Sequence, residues 1–349
     1  MPCRGGYLTG GRWEGNDARR AATYSHLTRD PGLVEVRANN LLPAAPLGPA
    51  GRLATQTGAI RGDRPFEGIP MEEMFIQTEE QRAILESVRR FVEAEVTPRA
   101  AELDAATDPE DGFSWEIVEA ADAFGLRTMA LSEENGGMGV DALTTAMVVE
   151  ELARGDLGIS VVFAQTLKIA QIMERAFNDD QKARALAPFV EDPRAILSIG
   201  ITEPENASNY LVPYPNSFTT KAVKTEGGWI ANGMKHFISN SNRSRFYLVF
   251  MQTDMEKTMV DGASCFLLER GHPGFTVGRV HDKMGERLAN NSELIFTDCF
   301  IPDENVVGAP HAGQAVRRGF GPSSNIYAGA TILGVAVALY EKALDWAQT

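Results

Sequence analysis

Cysteine, histidine, positive charge and long apolar runs are all in short supply in this chain. Its three cysteines, Cys3, Cys265 and Cys299, stand far apart in 349 residues and form no C-x-x-C. That excludes a disulfide framework and a thiolate zinc site, and they read as structural cysteines in a reducing compartment. The five histidines match neither HExxH nor any local zinc spacing, so no metal is expected. No apolar run reaches the ~18 residues of a membrane span. Lys and Arg number 33 against 47 Asp and Glu, a net charge of −14. This counts against nucleic acid as a partner, because phosphate binding needs clustered cations. No G-x-G-x-x-G follows any strand-like segment, so a Rossmann dinucleotide site is excluded too.

What remains is an ordinary globular composition, 44% hydrophobic and 23% charged, with length for two or three domains. Residues 1–73 differ from the rest. The stretch "NNLLPAAPLGPAGRLATQTGAIRGDRPFEGIP" is rich in Pro, Gly, Ala and Arg and has no period. It reads as disordered, or as an extension upstream of a start at Met71 or Met74. Glu14, Asp17, Asp30 and Glu35 weigh against an organelle-targeting segment. Order is expected from Thr78, where "TEEQ" is a capping box, followed by helical spacing up to Pro98. Ser114 and Asp141 are the next N-cap candidates, and residues 74–195 read as an N-terminal helical domain.

Near Ala195 the apolar period changes from 3.6 to 2. Residues 196–308 read as consecutive antiparallel strands, with hairpin turns at Gly227-Gly228 and Asn232-Gly233, closing into a small barrel or sandwich. Residues 309–349 return to a helical period in "IYAGATILGVAVALYEKALDWAQT", one helix with a broad apolar face. Ile326, Ile332, Leu333, Val337, Leu344 and Trp346 are expected to line it. The fold class is thus α+β: helices, a β domain, and the start of a C-terminal helical domain.

That order, with four sequence blocks, resembles the acyl-CoA dehydrogenase family. The blocks are "GGMGVD" with "EEL" (Gly136 to Leu152), "ITEP" (Ile201 to Pro204) with Ser208, "NGMKHFISN" (Asn232 to Asn240), and "PGF…KMGER…SELIFTDCFIPDENVVG" (Pro273 to Gly308). The resemblance covers about residues 75 to 349. It implies FAD as cofactor and an acyl-CoA thioester as substrate. A base removes the α-proton while the β-hydrogen leaves as hydride to the flavin N5. It also implies that Ile199, Ile201, Thr202, Ser208, Phe237 and Ser239 line the flavin, Thr202 on the pyrimidine side and Ser239 near N5, with Ser208 and Asn325 toward substrate. A donor beside N5 stabilises charge arriving on the ring. Taken alone, Thr202 and Ser239 at strand ends are most often local turn-bonding residues and Phe237 simply a core residue. An electron-transfer flavoprotein as partner, a homotetramer or homodimer, and a cytoplasmic location (the mitochondrial matrix in a eukaryote) follow from the same resemblance.

Three departures stand out. The family's base, a Glu, is expected beyond Thr349, or in a minority on the first C-terminal helix beside an Arg, where this chain has Ser324 and Asn325. The chain as given therefore reads as lacking its base and as truncated. The family's "GSD" reads "ASN" (Ala207 to Asn209), and the loop "YLVPYPNSF" after it is about five residues longer than usual. A flavin-dependent monooxygenase of the same fold and a non-catalytic subunit of a heteromeric dehydrogenase remain the alternatives. If a base lies within the chain, Glu203, Glu205 and Glu286 are the first candidates.

Overall fold

Thr78 opens the ordered part of the chain. In a computed structural model, which describes residues 77–206, 216–318 and 320–349, its hydroxyl accepts from the Gln81 amide at 3.1 Å and its own amide donates to Gln81 Oε1 at 3.0 Å. Residues 1–73 lie outside the described residues. The box starts α1, Glu79–Phe91, whose buried face carries Val88 and Phe91. The helix was expected to stop at Pro98. Instead a π turn over Val92–Val96 leads without a break into α2, Thr97–Asp104, and this wider turn carries the helix past Pro98, which has no N–H to donate. Ser114 caps α3, Trp115–Asp122; Asp141 caps α4, Ala142–Gly155; and Asp156 caps α5, Leu157–Ala176. Three helical turns between Asp179 and Glu191 follow. Val92, Val96, Ile117, Val148, Leu152 and Phe163 form the core of this helical layer. Fully burying each of the larger side chains contributes about 1.5–3 kcal/mol.

The strands are β1 Leu197–Gly200, β2 Lys221–Thr225, β3 Gly228–Ser239, β4 Phe246–Gln252, β5 Ala263–Glu269, β6 Phe275–Val280, β7 Asn291–Pro302 and β8 Val306–Val307. Three expectations are corrected here. The sheet is not a closed barrel or a sandwich: its eight strands run β6-β7-β3-β2-β4-β5-β8 along an open path, with β1 added beside β4. It is mixed, not wholly antiparallel, because β1 pairs with β4 in parallel. And Asn232-Gly233 is not a hairpin turn. β3 runs straight through it, and the pairing with β7 slips one residue there. Gly233 has φ +133, and a Cβ on it would lie 2.6 Å from the Thr220 Cα, so the glycine serves a close strand crossing.

After β8 come α6, Gly313–Arg318, and α7, Phe320–Gln348. One face of α7 packs on α4 and α5. A Cβ on Gly334 would meet the Glu150 carbonyl oxygen at 2.1 Å, so the helices touch at backbone distance. Thr331 and Ser160 share a hydroxyl bond at 3.1 Å, and Arg154 pairs with Glu341. Ile326, Ile332, Leu333, Leu344 and Trp346 are exposed on α7, as expected, together with Leu339 and Tyr340, while Val337 is half-buried. The segment Ser324–Gln348 has the length and, in its most apolar window, the mean hydropathy, 1.2, of a membrane-crossing helix. No membrane span was expected from the sequence, and a single such helix is weak evidence against that.

Candidate functional site

The Thr202 turn, after β1, and the end of β3 meet within the sheet domain. They are not joined by a regular ladder. The His236 amide donates to the Thr202 carbonyl at 2.8 Å, and the Lys235 ammonium donates to the Ile201 carbonyl at 3.2 Å. The Ser198 hydroxyl donates to the Ser239 carbonyl at 2.7 Å. Asn240, buried and at φ +63, donates from Nδ2 to Val162 on α5 at 3.1 Å. Side chains thus tie the helical layer, β1 and β3 together at this point.

Phe237 has φ +55. A bulky residue in the left-handed region is strained by about 1–3 kcal/mol unless its surroundings hold it there. The cause is a slip in the β3–β7 pairing between Lys235 and Ile238, which turns the ring outward. Phe237 is 55% exposed, so it is not a core residue. Its ring rests against His236 at 4.2 Å and His281 at 4.5 Å. Beside it runs a cavity of about 520 Å³ lined by Phe237, Arg279, Val280, His281, Lys283 and Met284. Ser239 is half-buried and accepts from Asn291 Nδ2 at 3.3 Å. Thr202 and Ile199 are half-buried and Ile201 buried. Among the described residues the Thr202 hydroxyl meets no hydrogen-bond partner. The site is therefore brought together at Thr202, Phe237 and Ser239. Ser208 lies outside the described residues. Asn325 is exposed on α7, and its neighbour Ser324 accepts from the buried Lys168 Nζ at 3.4 Å. Burial pushes the Lys168 amine down to about 8.

Beneath the turn lies a buried ion pair. Glu203 and Lys235 are both fully buried side chains, 2.9 Å apart. Glu203 also accepts from the Thr219 amide and hydroxyl at 2.7 and 2.8 Å, the Thr220 amide at 2.8 Å and Asn206 Nδ2 at 3.1 Å. Burial raises its carboxyl, but Lys235 and the surrounding donors overcome this and hold it at about 2. So firmly ionised a carboxylate is a poor proton acceptor near neutral pH, which removes Glu203 from the candidate bases. Glu286 differs: burial raises it, although Lys283 lies 3.8 Å away. Lys235 was not singled out from the sequence. A lysine in a strand reads as solvent-facing, and only the distant Glu203 accounts for it.

The family description "Acyl-CoA dehydrogenase, N-terminal domain" matches residues 78–192, and "Acyl-CoA dehydrogenase, middle domain" matches residues 198–299. The chain is 31% identical over 271 residues to the short-chain specific acyl-CoA dehydrogenase of Clostridium acetobutylicum, covering 77% of this chain and 68% of that protein. It is similar to the structure of butyryl-CoA dehydrogenase from Megasphaera elsdenii, with TM-score 0.70 and 29% identity, covering 78% of this chain and 69% of that one. It is also similar to PigA solved with FAD and proline, with TM-score 0.68 and 28% identity, covering 78% and 69%.

Proposed function

The chain belongs to the acyl-CoA dehydrogenase family, a family of FAD-dependent oxidoreductases, and from that premise we propose that it dehydrogenates an acyl-CoA thioester between Cα and Cβ with FAD bound along the ends of β1 and β3. The observation that carries the reading is that the Thr202 turn after β1 is hydrogen-bonded to the end of β3 that carries Phe237 and Ser239. The donor set suits a flavin. The Thr202 hydroxyl has no partner among the described residues. The Ser239 hydroxyl accepts from Asn291, which leaves its own proton to donate. The Phe237 ring is turned outward at an energetic cost. FAD, when bound, supplies the hydride acceptor.

In this reading Thr202 orients the pyrimidine end through its hydroxyl, with Ile199 and Ile201 supporting it through the backbone and by packing. Ser239 donates beside N5 and steadies charge there. Phe237 walls one side and excludes water. Ser208 and Asn325 contribute on the substrate side. The Glu203–Lys235 pair holds the Thr202 turn in place from beneath. An electron-transfer flavoprotein as acceptor and a homodimeric or homotetrameric assembly belong to the same proposal.

The test is anaerobic mixing of the purified, FAD-loaded chain with a panel of acyl-CoA thioesters of increasing length. Bleaching of the flavin band by at least one thioester is expected where a base, Glu205 or Glu286, acts within these residues, and a shift of the band on thioester binding is expected without one. Full loading with FAD and neither change with any thioester would remove the dehydrogenase reading and leave the fold-sharing oxygen-dependent alternative, which flavin reoxidation kinetics would then distinguish.

A further inference from the structure

We propose that His236, His281 and Glu293, from the last three strands at the β6 end of the sheet, form a zinc site beside Phe237. The three side chains come from adjacent positions: His236 from β3, Glu293 from β7, and His281 from the residue after β6. In the sheet β7 lies between β6 and β3. Both neighbours of β7 slip register opposite Glu293. β3 slips between Lys235, paired with Leu294, and Ile238, paired with Ser292. β6 slips between Val277, paired with Leu294, and Val280, paired with Ser292. Two bulges flanking one residue from both sides re-aim the side chains around it.

They converge. One ligating atom from each residue lies within 4.8 Å of the other two. His236 Nε2 is 3.5 Å from Glu293 Oε1. Tetrahedral zinc with bonds of about 2.1 Å spaces its ligand atoms by about 3.4 Å, so this pair already has the right separation and His281 needs only a small side-chain shift. The imidazoles pack at 4.5 Å between ring centres.

The second observation is that His281 is unsatisfied. It is 8% exposed, and its Nε2 is buried with no hydrogen-bond partner. A buried ring nitrogen without a partner is costly, and a cation bound by its lone pair removes that cost. Two neutral imidazoles and one carboxylate with a fourth, open position suit zinc better than oxygen-seeking calcium or magnesium. Arg279 competes for Glu293 from 3.5 Å, but its side chain is 71% exposed and free to swing into solvent.

The experiment is titration of the purified full chain with zinc chloride in chelator-free buffer, in competition with a chromophoric chelator, with and without FAD loaded. One zinc per chain is expected. His281→Ala, His236→Gln and Glu293→Gln should each weaken binding by at least about 100-fold, since a lost ligand costs no less than a lost outer-sphere partner. Arg279→Ala should tighten it by about 2–5-fold, the worth of one exposed ion pair. His311→Ala, on a different part of the surface, should leave it unchanged. Zinc should raise the thermal midpoint of the wild type but not of Glu293→Gln, which preserves the side-chain shape if the histidine variants fold poorly. No stoichiometric binding, or binding equal in wild type and Glu293→Gln, would overturn the proposal, as would loss in His311→Ala.

Discussion

Removing Lys235 should destabilise the sheet domain more than any surface change can. Lys235→Met leaves the Glu203 carboxylate fully buried with its counter-ion gone and only its four neutral donors, the Thr219 amide and hydroxyl, the Thr220 amide and the Asn206 side chain. Breaking one half of a buried pair typically costs about 3–5 kcal/mol. Those donors compensate in part, so a loss near the lower end, about 3 kcal/mol, is expected. At about 2–4 °C per kcal/mol for a unit of this size, the thermal midpoint should drop by about 6–12 °C. Glu203→Gln/Lys235→Met, which removes both charges and keeps an acceptor for the threonine amides, should recover part of that loss. The double-mutant cycle should report a coupling of at least about 1.5 kcal/mol. The same pair sets an acid dependence. The folded Glu203 carboxyl sits at about 2, below the ordinary unfolded value of about 4.3. Its contribution is complete above the unfolded value and is lost as pH falls toward about 2. Urea unfolding between pH 5 and pH 2.5, in wild type and in Glu203→Gln, reads this directly: the wild type should lose more stability over that window. A Lys235→Met loss below about 1 kcal/mol, or equal acid slopes in both proteins, would refute the reasoning.

Gly334→Ala should push α7 off α4, because its Cβ falls 2.1 Å from a backbone oxygen that cannot rotate away; a loss of about 1–3 kcal/mol should appear as a lowered urea midpoint with an unchanged m-value. Burial holds the Cys299 thiol up at about 11 and pushes Cys265 above the ordinary thiol range, so neither should be alkylated by iodoacetamide at pH 8 in the native protein, and peptide mapping after unfolding in urea should find both labelled.

The helices were legible because their signals are local. Thr78, Ser114 and Asp141 each cap within three residues of themselves. The strands were legible from their period of two. What escaped was set by residues far apart in the chain. The parallel β1–β4 pairing joins segments nearly 50 residues apart, with the β2–β3 hairpin between them. Asn232-Gly233 carries a hairpin signal, but a strand on each side and Thr220 across from it turned the glycine to another use. At the site, "ITEP" and "KHFIS" were singled out by resemblance, and the fold places them beside each other. The left-handed Phe237 arises from a register slip that no local pattern encodes. The Glu203–Lys235 pair was equally hidden, since each residue reads as surface charge until the other is placed opposite it. His236, His281 and Glu293 have no metal-binding spacing, because the bulges and not the sequence interval bring them together.

The claim that β1 and β3 together hold a flavin is tested most directly by titrating flavin-free protein with FAD and following the quenching of flavin fluorescence. One FAD per chain is predicted, with FMN bound at least about 10-fold more weakly and with Thr202→Val and Ser239→Ala each weakening FAD by about 5–30-fold, the worth of one buried hydrogen bond of about 1–2 kcal/mol. The wild type binding no FAD, or both variants binding it as tightly as the wild type, would contradict the account.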